Sequence, residues 1–337
     1  LVTIEDVARL AGVSNSTVSR VLNKKEYVKE DTRKKVFDAV AELGYKPSRI
    51  ARSLRANVSQ IIGLIISDIQ NPFFTSLVRA VEDIAYKHNF SLLLCNTDED
   101  PEKEKLYVEL MLSERVSGVI ITPTRESDCP VQKLLEMHIA TVSVDRQVQD
   151  CETDSVVSDN VDSSFKLVEH LIANGHRRIG ALLGPSEITT FRERLLGYKN
   201  AHMKYGLPID PHLIEQGIPK EMEGYELANQ LLGLSDRPSA IIAGNNLMAL
   251  GAIHAIKDCK LSLPGDISLV SFDDREWAQL ITPTITVASQ PTYEMGRQAA
   301  ELVMRRLEND DSPYEHVVLV SEIIYRESVR SIIQSSD

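Results

Sequence analysis

Four cysteines are all that 337 residues contain, and Cys95, Cys129, Cys151 and Cys259 show neither CxxC nor histidine-paired spacing. That scatter argues against a zinc site and against a disulfide framework, so free thiols in a reducing cytoplasm are expected. No apolar run approaches the ~18 residues of a membrane span, and the first residues show no apolar signal-peptide core. A Gly-rich phosphate loop is missing too: GPSE after Leu183 lacks the Lys-Ser/Thr of a P-loop. No Ser/His/Asp or metal-ligand spacing stands out, and His170 and His176 flank a helix end where they read as structural. An enzymatic role, a cofactor and a metal are therefore not expected. What the chain does have is a 43% hydrophobic fraction, enough for real cores, at a length that suggests two or three domains.

The formal charge of −12 argues against a nucleic-acid binder until it is divided along the chain. Residues 1–59 carry 12 Lys and Arg against 7 Asp and Glu, a balance of +5, which leaves −17 for the rest. A basic reader joined to an acidic body fits this, because phosphate attracts the first and repels the second.

The stretch TIEDVARLAGVSNSTVSRVLN, Thr3 to Asn23, reads as two short helices around a tight turn. Thr3, with Asp6 three residues on, makes a capping-box-like start. Val7, Ala8, Leu10 and Ala11 give an apolar stripe at helical spacing. Gly12 ends the helix, because a turn needing positive φ is cheapest at glycine. Ser14 can cap the second helix, which is expected to bury Val18, Val21 and Leu22 and to expose Asn15, Ser16, Ser19 and Arg20. Amide, hydroxyl and guanidinium groups on one face are the chemistry that reads base edges in a major groove. The pattern is that of a helix-turn-helix; a polar helical hairpin with no DNA near it is the plainer alternative. Candidate DNA contacts here are Thr3, Ser14, Asn15, Ser16, Thr17, Ser19, Arg20 and Asn23. A third helix, about Glu30 to Leu43, offers Val36, Ala39, Val40 and Leu43 to the same core and stops at Gly44.

A basic linker follows, YKPSRIARSLRANVSQ, Tyr45 to Gln60. Ser48 to Ala56 would make little more than two turns, and isolated helices below ~12 residues are marginal in water. The segment is thus expected to order only when phosphates and a partner copy hold it. Leu54 reads either as ordinary packing on the body or as a wedge between base steps in the minor groove. Ser48, Ala51 and Leu54 are the linker's candidate DNA contacts.

From Ile61 onward short apolar runs such as IIGLIIS, GVIITPT, RIGALLGP and ISLVSFDD alternate with amphipathic helices. That alternation marks parallel sheets covered on both faces, and the series occurs twice. The expected fold is an all-α headpiece plus an α/β core of two doubly wound parallel-sheet subdomains.

The two ends together resemble the lactose-repressor family of bacterial transcription regulators. DVARLAGVSNSTVSRVLN is similar to that family's headpiece, YKPSRIARSL to its hinge helix, and IIGLIISDIQNPFF, VSVDR, HLIANGHRRIGALLGP, GNNLMALGA and SFDD follow in its order. The resemblance covers essentially the whole chain. It implies a body like the periplasmic sugar-binding proteins, with two lobes joined by three crossovers near Asn160, Ser289 and Ser321. The expected division is 1–46 headpiece, 47–59 hinge, 60–159 with 290–320 first lobe, and 160–289 with 321–337 second lobe.

The resemblance places an effector between the lobes, and open α/β sheets bind ligands outside the carboxyl ends of their strands. Asn71, Phe73 and Phe74 follow the first strand, and two adjacent aromatics there can sandwich a sugar ring or stack a base. Asp145 and Arg146 end the fourth strand, one accepting and one donating to vicinal hydroxyls; an interlobe ion pair is the plainer reading. Arg194, Asn245, Asp273 and Gln290 match the family's polar ligand positions, and the set resembles the pocket of ribose-binding proteins. Two departures bear on the ligand. Thr122 stands where those sugar binders tend to have an amide, and QGIPKEMEGY offers Pro219 or Met222 where family members often carry an aromatic.

The expected function is a DNA-binding regulator, usually a repressor, controlled by a small effector that is most readily a sugar. The alternatives are a purine-type ligand, or gating by a phosphorylated carrier protein at Arg305 and Arg306. A homodimer is expected because two-fold operators need two headpieces, with the helices Phe73–His88 and Leu247–Cys259 as its surfaces by resemblance. SVRSIIQSSD is too short for a tetramerising heptad helix.

Overall fold

The structure, a computed structural model, describes residues 2–22, 28–45, 59–127, 130–149, 151–308 and 312–332. It divides into two compact units, residues 1–59 and 60–337. The candidates Asn23, Ser48, Ala51 and Leu54 lie outside the described residues.

In the first unit, α1 (Ile4–Ala11), α2 (Asn15–Leu22) and α3 (Glu30–Leu43) enclose a small core. Thr3 and Asp6 form a complete capping box: Thr3 Oγ1 accepts from Asp6 N at 3.3 Å and Asp6 Oδ2 accepts from Thr3 N at 2.9 Å. Gly12 takes the left-handed conformation at φ 66° and returns its N–H to Ala8 and Arg9. Ser14 Oγ accepts from Thr17 N at 3.2 Å, the expected cap of α2. Val7, Val18, Val21 and Val36 are fully buried together. Leu10 departs from expectation; it is 47% exposed, at the edge of the stripe that Val7, Ala8 and Ala11 bury.

The second unit contains two six-stranded sheets. The first is built from β1 (Ile61–Ile66), β2 (Ser91–Asn96), β3 (Gly118–Ile121), β4 (Ala140–Val144), β5 (Asp154–Ser158) and β11 (His316–Leu319), in the order β11-β5-β4-β3-β1-β2, all parallel. The second uses β6 (Ile179–Leu183), β7 (Ile214–Gln216), β8 (Ala240–Ala243), β9 (Ser268–Phe272), β10 (Thr286–Ser289) and β12 (Glu322–Ile324), in the order β12-β10-β9-β8-β6-β7. Here β12 runs antiparallel to β10, so this sheet is mixed rather than wholly parallel. The apolar run His316–Tyr325, one strand region by sequence, is two edge strands in two sheets, parted at Val320 and Ser321.

Helices cover both faces of each sheet. The first has α4 (Pro72–Lys87), α5 (Pro101–Ser113) and α6 (Val131–Glu136). The second has α7 (Asn160–Ala173), α8 (Thr189–Lys204), α9 (Glu221–Leu232), α10 (Asn246–Asp258) and the short α11 (Glu276–Leu280). The chain then returns through α12 (Thr292–Glu308), which packs on α4 and on the first sheet. The central strand β1 is solidly apolar: Ile62, Leu64, Ile65 and Ile66 are each at most 1% exposed. Because neighbouring strands run parallel, the residues after β1, β3 and β4 emerge on one edge of the first sheet. Those after β6, β8 and β9 do the same in the second.

Candidate functional site

On α2 the side chains of Asn15, Ser16 and Arg20 are exposed and that of Ser19 is half-exposed, while Val18 and Val21 anchor the opposite face. Ser14 Oγ lies 2.7 Å from Ser16 Oγ and 2.9 Å from Thr17 Oγ1, a hydroxyl chain at the helix start. Thr3 is exposed as well, with its hydroxyl held by Asp6 Oδ2 at 2.8 Å.

Within the second unit, both lobes line a narrow cleft of about 30 Å³. Nine of the ten predicted effector residues line it. From the first lobe come Asn71, Phe73, Phe74, Asp145 and Arg146; from the second come Arg194, Asn245 and Asp273; and Gln290 sits at the crossover just past β10. Every one is at least nine-tenths buried. Thr122 is the exception. It is fully buried at the end of β3, its hydroxyl has no hydrogen-bond partner, and it is not among the residues bounding the cleft.

The amides do two jobs. Asn71 Oδ1 caps α4 by accepting from Phe73 N at 3.0 Å, and Asn245 Oδ1 caps α10 by accepting from Met248 N at 2.8 Å. Asn245 Nδ2 also donates to Pro219 O at 3.0 Å, which fixes the strap beside the cleft. Phe73 and Phe74 meet edge to face with centroids 4.9 Å apart, both within the core of the first lobe. Arg194 lies against the Phe272 ring at 3.9 Å, and its Nε donates to Asn160 Oδ1 at 2.9 Å.

Asp145 and Asp273 occupy matching strand ends with φ of 68° and 69°, a left-handed conformation that Asp tolerates better than most residues. Asp273 Oδ1 accepts from Gln290 Nε2 at 2.6 Å, whereas Gln290 Oε1 is buried without a partner. Asp145 has Arg146 Nε at 3.6 Å in its own lobe, so the pair is not an interlobe one. Arg146 points its other nitrogens at Glu99, at 2.6 and 2.8 Å. Burial pushes the Asp145 carboxyl up to about 6; Arg146 and Arg194 oppose the rise, and Asp273 and Glu99 add to it. Burial likewise lowers the Arg194 pKa, against the pull of Asp273 and Asp145.

A profile of the bacterial regulatory proteins of the lacI family matches residues 3–48, and a periplasmic binding protein-like profile matches residues 168–329. The chain is 34% identical to an HTH-type transcriptional repressor PurR of Haemophilus influenzae (strain PittEE), across 99% of this chain and all of that protein. The chain belongs to the LacI family. Its fold superposes on the lac repressor dimer bound to operator and the anti-inducer ONPF with a TM-score of 0.85 and 31% identity, over 98% of this chain and 99% of that one. It also resembles a transcriptional regulator CelR–cellobiose complex, with a TM-score of 0.74 and 28% identity, over 97% of this chain and all of that one. Like its LacI-family relatives, the chain is a transcriptional regulator and not an enzyme. No helix among the described residues is long and apolar enough to cross a membrane.

Sequence reading missed several lining residues of this LacI-family cleft. Asp68, Glu99, Thr190, Phe191 and Lys220 also face it. Glu99 had a readable signal, an acid in the loop just past β2, but its partner Arg146 is 47 positions away. The lobes also touch directly: Asn246 Nδ2 donates to Asn71 Oδ1 at 2.9 Å, Thr189 Oγ1 donates to Glu126 Oε1 at 2.8 Å, and Arg192 clasps the same carboxylate. The candidate carrier-protein contacts, Arg305 and Arg306, are both engaged within the lobe. Arg306 is buried, donating to Asp154 at 2.7 and 2.9 Å, and Arg305 pairs with Glu315. Both guanidiniums tie α12 to β5 and the segment before β11, and Arg305 remains half-exposed.

Proposed function

We propose that this regulator is a repressor whose operator affinity is set by a small polyhydroxylated effector, a sugar, held between the two lobes. The observation that carries this is the paired chemistry of the cleft: buried carboxylates at Asp145 and Asp273 beside buried guanidiniums at Arg146 and Arg194. A sugar hydroxyl both donates and accepts, so it satisfies such pairs where a plain anion would not. Glu99 already occupies Arg146, and the lining holds four carboxylates (Asp68, Glu99, Asp145, Asp273) against three cations (Arg146, Arg194, Lys220). That balance disfavours an anionic ligand. The likeness to a cellobiose complex supports the sugar, and the likeness to a repressor named PurR keeps a purine-type ligand as the second reading.

In this reading the headpiece, residues 1–46, binds DNA through Thr3 and the exposed face of α2. The linker, 47–59, carries the signal through Ser48, Ala51 and Leu54. The divided lobes close on the effector. The active form is a cytoplasmic homodimer, joined along α4 and α10, because one headpiece covers only half of a two-fold site. The test is a melting screen of the full chain against pentoses, hexoses, disaccharides and nucleobases, followed by operator binding with each hit. A sugar that raises Tm and shifts operator affinity supports the reading; a nucleobase alone doing both replaces it with the purine.

A further inference from the structure

The cleft does not end where its predicted residues end. Glu99, Pro219 and Lys220 line both the inner chamber and a second, wider groove of about 710 Å³. Both lobes again contribute walls. Pro101 stands on one side, and Pro185, Ile188, Ile218 and Pro219 on the other, giving flat apolar surfaces. Ile218 remains 53% exposed although it borders the groove. Between them Thr124 is 5% exposed, and its Oγ1 is buried with no hydrogen-bond partner. A buried hydroxyl without a partner is costly, and a ligand group that reaches it removes the cost.

No aromatic side chain stands between Gly217 and Gly224 to close the inner chamber on the second-lobe side. Lys220 is there instead, reaching across the lobes to Asp98 at the boundary of the two spaces. A lysine on a flexible stem can swing aside where a packed ring would not. Apolar platforms with one buried hydroxyl and charged groups at the rim (Glu187 and Arg125 among them) suit a sugar ring, which has an apolar face and a polar edge.

We infer that the effector is a disaccharide. Its inner ring meets Asp145, Arg146, Arg194 and Asp273, and its outer ring lies in the groove of Pro101, Pro185, Ile218 and Thr124. Lys220 sits over the linkage. This rests on the sugar reading above and extends it by one ring.

The test is calorimetric titration of the full chain with maltose, cellobiose, sucrose and lactose, beside glucose, galactose, fructose and ribose. The expected result is one disaccharide binding at least about tenfold more tightly than either of its component rings, the worth of one good buried hydrogen bond. Thr124→Val and Ile218→Ala should weaken that disaccharide and leave monosaccharide binding unchanged, and Thr124→Val should hold or raise the Tm of the empty protein because it removes the unpartnered hydroxyl. A monosaccharide that binds as tightly as every disaccharide, or variants that weaken both equally, overturns the second ring while leaving the sugar reading in place. Binding of nucleobases and of no sugar overturns both.

Discussion

With Asp145 as the effector's acceptor, as proposed, effector binding should be sensitive to pH in a definite direction. Its carboxyl rises from 3.8 to about 6 because burial strips it of water. That shift sets roughly 3 kcal/mol against the ionised form. An effector hydroxyl that donates to the carboxylate needs the ionised form, so affinity should be level above pH 6 and fall below it. At pH 5 roughly one site in ten is ionised, and affinity should be down about tenfold from its plateau. The stability of the empty protein should move the other way. The folded state holds the Asp145 proton more tightly than the unfolded state, so this carboxyl costs nothing below pH 3.8. Its penalty grows between pH 3.8 and about 6 and stays constant above. The assay is calorimetric titration of the effector at pH 5, 6, 7 and 8, repeated in two buffers of different ionisation enthalpy to count protons. Binding should release close to one proton at pH 5 and none at pH 8. Asp145→Asn should flatten the profile and weaken binding at pH 8 by about 1.5–3 kcal/mol, the usual worth of a hydrogen bond to a charged group. A wild-type profile that is flat from pH 5 to 8, or an Asn variant with the same slope, would refute the assignment of Asp145 as an ionised acceptor.

Arg194→Ala and Asp273→Ala should abolish the effector's influence on operator binding while the free protein still binds operator; loss of DNA binding in both would place these residues in the fold rather than in the response. Arg20→Ala should flatten the difference in affinity between operator and random duplex more than it lowers binding to random duplex, and an equal loss on both would make Arg20 a phosphate contact. Arg306→Ala removes the two short donors to the buried Asp154 and leaves it only the Glu315 N–H at 2.7 Å and the more distant Arg305 guanidinium at 3.8 Å, and should cost about 3 kcal/mol in denaturant unfolding. An unchanged midpoint would mean that the Arg306–Asp154 pair does not hold α12 to the first sheet.

What could be read ahead of the structure was local or repeated. The Thr3–Asp6 capping box and the Gly12 turn each sit within a few residues, so their physics is complete in a short window. Asp145, Asn245 and Asp273 were legible because each follows an apolar strand, and parallel strands bring such ends to one edge. Interactions between distant positions were not legible. Glu99 with Arg146, Asp154 with Arg306 and Glu126 with Arg192 span 47, 152 and 66 positions, and nothing in either local pattern names the partner. The strand β5 was overlooked because DSVVS has only two apolar residues, and Asp154 there is buried by its pairing with Arg306 rather than by hydropathy. Thr122 showed the limit of the strand-end rule. It follows β3 as Asp145 follows β4, yet its short side chain is fully buried and does not line the cleft.

The edge strands β11 and β12 are contributed by residues 316–324, separated by two residues and assigned to different sheets. During synthesis the headpiece emerges first and has everything its own core requires. Neither lobe is in that position: each must wait, with one flank open, until translation has reached the same nine-residue stretch. The DNA reader of a nascent chain is thus finished well before the sensor that is to govern it, and a chain cut short ahead of His316 would have the first without either half of the second.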